Sequence, residues 1–152
     1  MVRQAIAASA VVTASIVFPS AGAAAAATGQ VVLIEGGQVR CSVSADDLSQ
    51  GGGPTVVCEN ISGLPWGQPG FATMKNSVPL NLAVLRGTGQ FTWALGSVPA
   101  PGETSGDQVP VDEGQTYQVN GWTIQDEGLR TRITYDRSGH GMLVTPAYVR
   151  LF

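Results

Sequence analysis

Apolar and polar side chains alternate along residues 116–124 and 129–135, and this alternation is the feature that most constrains the fold of the chain. A period of two places successive side chains on opposite faces of a β-strand. The intervening Gln125-Asp126-Glu127-Gly128 is polar and ends in glycine, as many hairpin loops do. The stretch therefore predicts an antiparallel hairpin with one buried face.

The register of this hairpin depends on the interpretation of Asn120-Gly121. Pairing outward from the loop places Ile124 opposite Leu129, and a bulge at Gly121 then places Val119 opposite Ile133. The alternative is that Asn120-Gly121 forms a two-residue type I′ turn, for which this dipeptide is a strong signal. We favour the bulge because it keeps the apolar side chains on one face.

A third strand follows a loop at residues 136–141, and its expected pairing places Met142 opposite Tyr135. Pro146 has no backbone N–H, so this strand is predicted to be an edge or to break there. The alternation resumes with a changed parity over residues 147–151, which predicts a last strand that closes the fold.

The first half of the chain contains shorter segments of the same kind. Gly36-Gly37 is interpreted as a two-residue turn that places Val32 opposite Cys41, and residues 80–84 and 91–95 predict a further hairpin. Roughly seven to nine short strands with glycine turns predict an all-β fold. We prefer a small antiparallel β-sandwich to a β-barrel, because the long loops look like crossovers between sheets.

Residues 1–27 have the features of a secretory signal peptide. Arg3 supplies the positive charge, residues 5–18 are apolar and uncharged, and a run of alanines ends at Ala27. An uncleaved membrane anchor is the alternative, but this apolar run is shorter than the roughly 20 residues that span a bilayer. We predict cleavage after Ala27, a single secreted domain at 28–152, and no transmembrane segment after cleavage.

Cys41 and Cys58 are the only cysteines of the chain. Export places them in an oxidising environment, where an intrachain disulfide is the expected state. The alternatives are two buried free thiols or a metal pair. His140 is the only histidine, so a tetrahedral zinc site lacks ligands, and we predict neither a metal nor another cofactor.

The charge of the chain argues against a nucleic-acid partner. Its formal net charge is −3, and removal of residues 1–27 leaves seven basic and eleven acidic side chains. Phosphate recognition needs clustered lysine and arginine, whereas the basic residues here are scattered along the sequence.

The candidate catalytic residues lie mainly in segments that are typical of turns. His140 lies beside Asp136 and Ser138, but residues this close in one tight loop rarely form a catalytic relay, and we interpret the segment as a turn. Adjacent acids could serve glycoside cleavage or calcium binding, although solvated turns are the simpler interpretation. Three such pairs occur in predicted loops: Asp46-Asp47, Asp112-Glu113 and Asp126-Glu127.

Among the tryptophans, Trp66 is the candidate for a binding role. It lies in a proline- and glycine-rich segment, residues 63–70, where an exposed indole could stack on a sugar ring or a partner protein. The alternative is a plug that covers the end of the sandwich. Trp93 and Trp122 fall on apolar strand faces and are expected in the core.

Several short motifs resemble those of small exported proteins of mycobacteria and related actinobacteria. They are the alanine-rich leader, the cysteine pair, Gly121-Trp122-Thr123-Ile124 and Gly139-His140-Gly141-Met142. The resemblance covers most of the chain after the leader. It implies an exported, envelope-associated or extracellular location, and it provides no catalytic residues to carry over.

The sequence thus leads to the hypothesis of a secreted protein without catalytic activity, which binds a cell-wall component or an extracellular protein. Two alternatives belong to other classes. One is a hydrolase of envelope polymers that uses loop carboxylates. The other is a secreted protease inhibitor that presents the proline-rich segment at residues 96–114, which is unusually long for a loop.

Overall fold

The computed structural model describes residues 29–62, 66, 80–99 and 107–152. Within these residues, eleven strands form two sheets that pack face to face, which confirms the predicted all-β sandwich. The predicted signal peptide and its cleavage site lie outside the described residues.

The larger sheet has six strands in the order β5-β4-β3-β2-β1-β6. All neighbours are antiparallel except β6, which runs parallel to β1. The strands are β1 Gln30–Ile34, β2 Val39–Ser44, β3 Thr55–Asn60, β4 Leu82–Arg86, β5 Phe91–Ala94 and β6 Val109–Pro110. The predicted long loop at residues 96–114 therefore contains an edge strand, the position in a sheet where a proline is tolerated.

The first hairpin has the predicted register. Val32 lies opposite Cys41, and both Gly36 and Gly37 have the positive φ that a type I′ turn requires. Cys41 lies directly opposite Cys58 on the neighbouring strand, and the two form a disulfide with a Cα–Cα distance of 4.0 Å. The predicted disulfide is confirmed.

The smaller sheet has five strands in chain order, so it is a simple meander. Connections of two to five residues join its antiparallel neighbours. The strands are β7 Thr116–Val119, β8 Trp122–Asp126, β9 Thr131–Tyr135, β10 Gly141–Val144 and β11 Val149–Leu151.

The predicted bulge at Gly121 is wrong, and the alternative turn is present. Asn120 and Gly121 have φ values of 54° and 81°, as a type I′ turn requires, and Val119 pairs with Trp122 across it. The side-chain amide of Asn120 also donates a hydrogen bond of 2.8 Å to the carbonyl oxygen of Val43 in the other sheet. A bulge would not present Asn120 in this way.

The two following registers are displaced from those predicted, the first by four residues and the second by two. Ile124 pairs with Ile133 rather than Leu129, and Met142 pairs with Ile133 rather than Tyr135. Leu129 lies in the loop and is 91% exposed. A shift by an even number of residues leaves each strand side chain on its predicted face, because the pleat repeats every two residues.

The main core lies between the two sheets and contains the disulfide, Trp122, Ile124, Ile133 and Met142. A second and smaller apolar cluster lies on the outer face of the larger sheet. Its members are Val31, Val57, Leu82, Val84 and Val98, with Ala94 packed against them. This outer cluster anchors the segment that follows β5.

Candidate functional site

Trp66 is buried in the main core and is not an exposed side chain. Its side chain is 3% exposed, and its Nε1 donates a hydrogen bond of 2.9 Å to the carbonyl oxygen of Thr145. The indole also packs against Trp93, with ring centroids 5.7 Å apart. In this arrangement Trp66 offers no free ring face for stacking on a sugar.

The His140 loop forms the predicted turn and no catalytic relay. Ser138 donates to the carbonyl oxygen of Gly87 in the larger sheet, whereas Asp136 accepts a hydrogen bond from Thr123. The exposed His140 ring lies over Gly89. These contacts tie the β9–β10 loop to the β4–β5 turn, so their role is structural.

The acids of the β2–β3 loop cap local backbone. The Asp47 carboxylate accepts hydrogen bonds from the backbone N–H groups of Ser49 and Gln50, and Asp46 accepts one of 2.6 Å from the N–H of Gly53. This is the turn role that the sequence predicts for short acidic side chains. The loop is consequently held as one wall of a groove.

This groove lies on the outer face of the larger sheet and has a volume of about 400 Å³. The hydroxyl-bearing residues Ser42 and Ser44 form its floor together with Gly29. One wall is the loop at residues 46–50, and the other is the segment at residues 97–99. The groove combines hydroxyl groups, carboxylates and a few apolar side chains.

Side chains of the larger sheet hold the second wall in place. Glu59 accepts a hydrogen bond of 2.8 Å from the backbone N–H of Val98, and Val98 is buried in the outer cluster. Asn81 both donates to the carbonyl oxygen of Gly96 and accepts from its N–H. The part of the predicted inhibitor loop that lies here is thus anchored to the sheet, and residues 100–106 lie outside the described residues.

A second cavity, of about 350 Å³, collects carboxylates from three turns. Glu35 comes from the β1–β2 turn, Asp112 and Glu113 from the β6–β7 connection, and Asp126 from the end of β8. In the described part of the chain, no three or more His, Cys, Asp or Glu side chains are arranged to hold a metal ion.

Glu35 and Asp126 differ in their surroundings. Burial raises the pKa of Glu35 and the charge of Asp126 raises it further, while a 2.7 Å hydrogen bond from the Thr131 hydroxyl partly opposes both effects. Asp126 is 7% exposed and accepts a hydrogen bond from the backbone N–H of Gly128. Two neighbouring carboxyl groups in unlike environments can act as acid and base.

Glu35 is the residue of this site that sequence reasoning missed. Its φ of 54° is unusual for a residue other than glycine, and such conformations recur at functional sites. The sequence signal was a lone acid beside Gly36-Gly37, which identifies a turn but not the carboxylates that approach from the other sheet.

Comparison with models of protein families, with curated proteins and with solved structures finds no match to this chain. The described residues include no helix of a length and hydropathy that would cross a membrane.

Proposed function

We propose that this chain is a secreted, non-catalytic domain that binds a component of the cell envelope or of the extracellular space through the groove on its larger sheet. The groove carries the proposal because two side-chain-anchored loops form its walls. The disulfide supports the extracellular location, since such bonds persist mainly in oxidising compartments.

The lining of the groove favours a hydroxyl-rich or cationic ligand. Ser42 and Ser44 offer hydroxyl groups, and Asp46 and Asp47 offer carboxylate oxygens. Pockets with a few placed polar groups on a partly apolar surface are typical ligand sites. A cell-wall glycan or a basic segment of an extracellular protein has the matching chemistry.

Co-sedimentation with purified cell-wall material tests the proposal. A Ser97→Trp variant fills the groove from an exposed position, and Thr88→Trp adds the same side chain at an exposed turn away from it. We expect binding by the wild type and the Thr88 variant, and loss of binding by the Ser97 variant. Equal binding by all three proteins would exclude the groove as the site.

A hydrolase of envelope polymers is the second candidate, and the pair of Glu35 and Asp126 favours it. A carboxyl group with a raised pKa can protonate a leaving group, and a second carboxyl group beside it can serve as base or nucleophile. Release of soluble sugars or peptides from cell-wall material, abolished by Glu35→Gln, would support this candidate. Absence of turnover by the wild type over the pH range 4 to 7 would exclude the hydrolase candidate in favour of the binding function.

A further inference from the structure

The outer face of the smaller sheet gathers arginines that are scattered in the sequence. Leu143 pairs with Arg132 on one side and with Arg150 on the other, so the three side chains form one row across β9, β10 and β11. Directly opposed residues of antiparallel strands project from the same face. With neighbouring strands about 4.8 Å apart, the two arginines start about 10 Å from each other.

A carboxylate positions two of the arginines at one end of this face. Glu127 accepts a hydrogen bond of 2.6 Å from Nε of Arg130 and one of 2.7 Å from Nε of Arg132. Both bonds use Nε, so the terminal Nη groups of the two arginines donate to no other residue in the described part of the chain. Those Nη groups are the ones that bind an anion in a bidentate manner.

Arg150 is exposed, and its side chain forms neither a hydrogen bond nor an ion pair with the described residues. The guanidinium of Arg132 lies 4.7 Å from the centre of the Phe152 ring, and this ring covers Gly141. Tyr148 is 41% exposed and lies two residues before Arg150. Aromatic rings therefore accompany the guanidinium groups.

We propose that this arginine face, formed by Arg130, Arg132, Arg150, Tyr148 and Phe152, binds an anionic polysaccharide. Glu127 and Asp136, which follows β9, offset part of the positive charge, so the arginines act as separate anion contacts rather than as a uniform basic field. The separation of Arg132 and Arg150 across β10, about 10 Å at the backbone, is comparable with the length of a disaccharide repeat. The partner is thus a chain of sugars that carries carboxylate, phosphate or sulfate groups at intervals.

The rest of the face fits a sugar polymer better than other anionic partners. Threonine and glutamine side chains suited to hydrogen bonding with sugar hydroxyls cover it, namely Thr116, Gln118, Thr123, Gln125 and Thr134. Three arginines on a chain of net charge −3 provide few of the phosphate contacts that nucleic acids require. Leu143 is 8% exposed, so the exposed apolar side chains of the arginine face are Tyr148 and Phe152, at 41% and 44%.

Calorimetric titration with dextran sulfate and with polygalacturonate, and with neutral dextran as the uncharged control, tests the proposal. Arg150→Gln removes an arginine without a partner, and Arg137→Gln makes the same charge change in an exposed loop. We expect both anionic polymers to bind and dextran not to bind. Arg150→Gln should weaken binding about tenfold, which corresponds to the loss of one charge-assisted hydrogen bond, and Arg137→Gln should not.

If Arg137→Gln and Arg150→Gln weaken polymer binding equally, the binding depends only on the net charge of the protein, and the proposal is overturned. Binding of a DNA duplex as tightly as of the polysaccharides would overturn the choice of partner. The Ser97→Trp variant, which blocks the groove on the other sheet, should leave this binding unchanged. Failure of the arginine face and failure of the groove are therefore distinguishable.

Discussion

Asn120 in the smaller sheet and Val43 in the larger sheet are joined by a hydrogen bond of 2.8 Å from the side-chain amide to the backbone carbonyl oxygen. The bond depends on the left-handed backbone of Asn120, which has a φ of 54°. The turn that reverses the chain between β7 and β8 is thus also a link between the two layers of the sandwich.

Two substitutions at Asn120 should separate these contributions. Asn120→Gly keeps the backbone conformation and loses the hydrogen bond, so we expect a loss of about 1 kcal/mol in the free energy of unfolding. Asn120→Ala loses the same hydrogen bond and retains a Cβ in the left-handed region, so it should be about 1 to 2 kcal/mol less stable than the glycine variant. Urea unfolding measures both values. Alanine and glycine variants of equal stability would show that the backbone conformation is not the limiting factor.

Removal of the disulfide should lower stability without changing the fold. Cys41 and Cys58 are 17 residues apart, and a loop of this size corresponds to about 3 kcal/mol on the chain-entropy view. The double variant Cys41→Ala, Cys58→Ala should unfold at a lower denaturant concentration than the oxidised wild type. Reductant should shift the wild type towards the variant and leave the variant unchanged. The prediction would be contradicted if reductant did not change the denaturant concentration at which the wild type unfolds.

Substitution of Trp66 should act on stability. Trp66→Ala removes a large side chain that is 3% exposed, and such truncations cost about 3 to 5 kcal/mol. Trp66→Phe keeps most of the volume and leaves the carbonyl oxygen of Thr145 without its donor, which costs about 1 to 3 kcal/mol. Thermal unfolding should rank the wild type above the phenylalanine variant and that variant above the alanine variant. If Trp66→Ala unfolded at the same temperature as the wild type, Trp66 would not contribute to the core and would be a surface residue.

Glu35 should give the stability of the protein a defined dependence on pH. Because the folded state raises its pKa above the ordinary 4.5, the folded state binds more protons than the unfolded state between those two values. Stability from this group is therefore present below pH 4.5 and is lost as the pH rises through the folded pKa.

The variant Glu35→Gln should abolish this dependence, since glutamine can still accept the hydrogen bond from Thr131 but does not ionise. We expect the variant to gain stability relative to the wild type as the pH rises above 4.5. Denaturant unfolding at several pH values measures the difference, in which the contributions of other groups cancel. A difference that does not vary with pH would show that Glu35 has the same pKa in both states.

Local patterns in the sequence determined which side chains face the core. Alternation places Trp122, Ile124, Ile133 and Met142 on one side of their strands whatever the register, and all four are fully buried. The turn at Gly36-Gly37 was predictable as well, because only a few residue types adopt two successive positive φ angles. Both are properties of short segments, so they can be read without knowledge of the fold.

The tertiary structure decided the registers and the composition of the sites. A shift by an even number of residues preserves the face of every strand side chain, so alternation could not distinguish Ile124 opposite Leu129 from Ile124 opposite Ile133. Contacts with the other sheet, such as that of Asn120 with Val43, exist only once both layers are packed. The approach of Glu35 to Asp126 and the row of arginines likewise join residues from separate strands, and no local pattern encodes such distances.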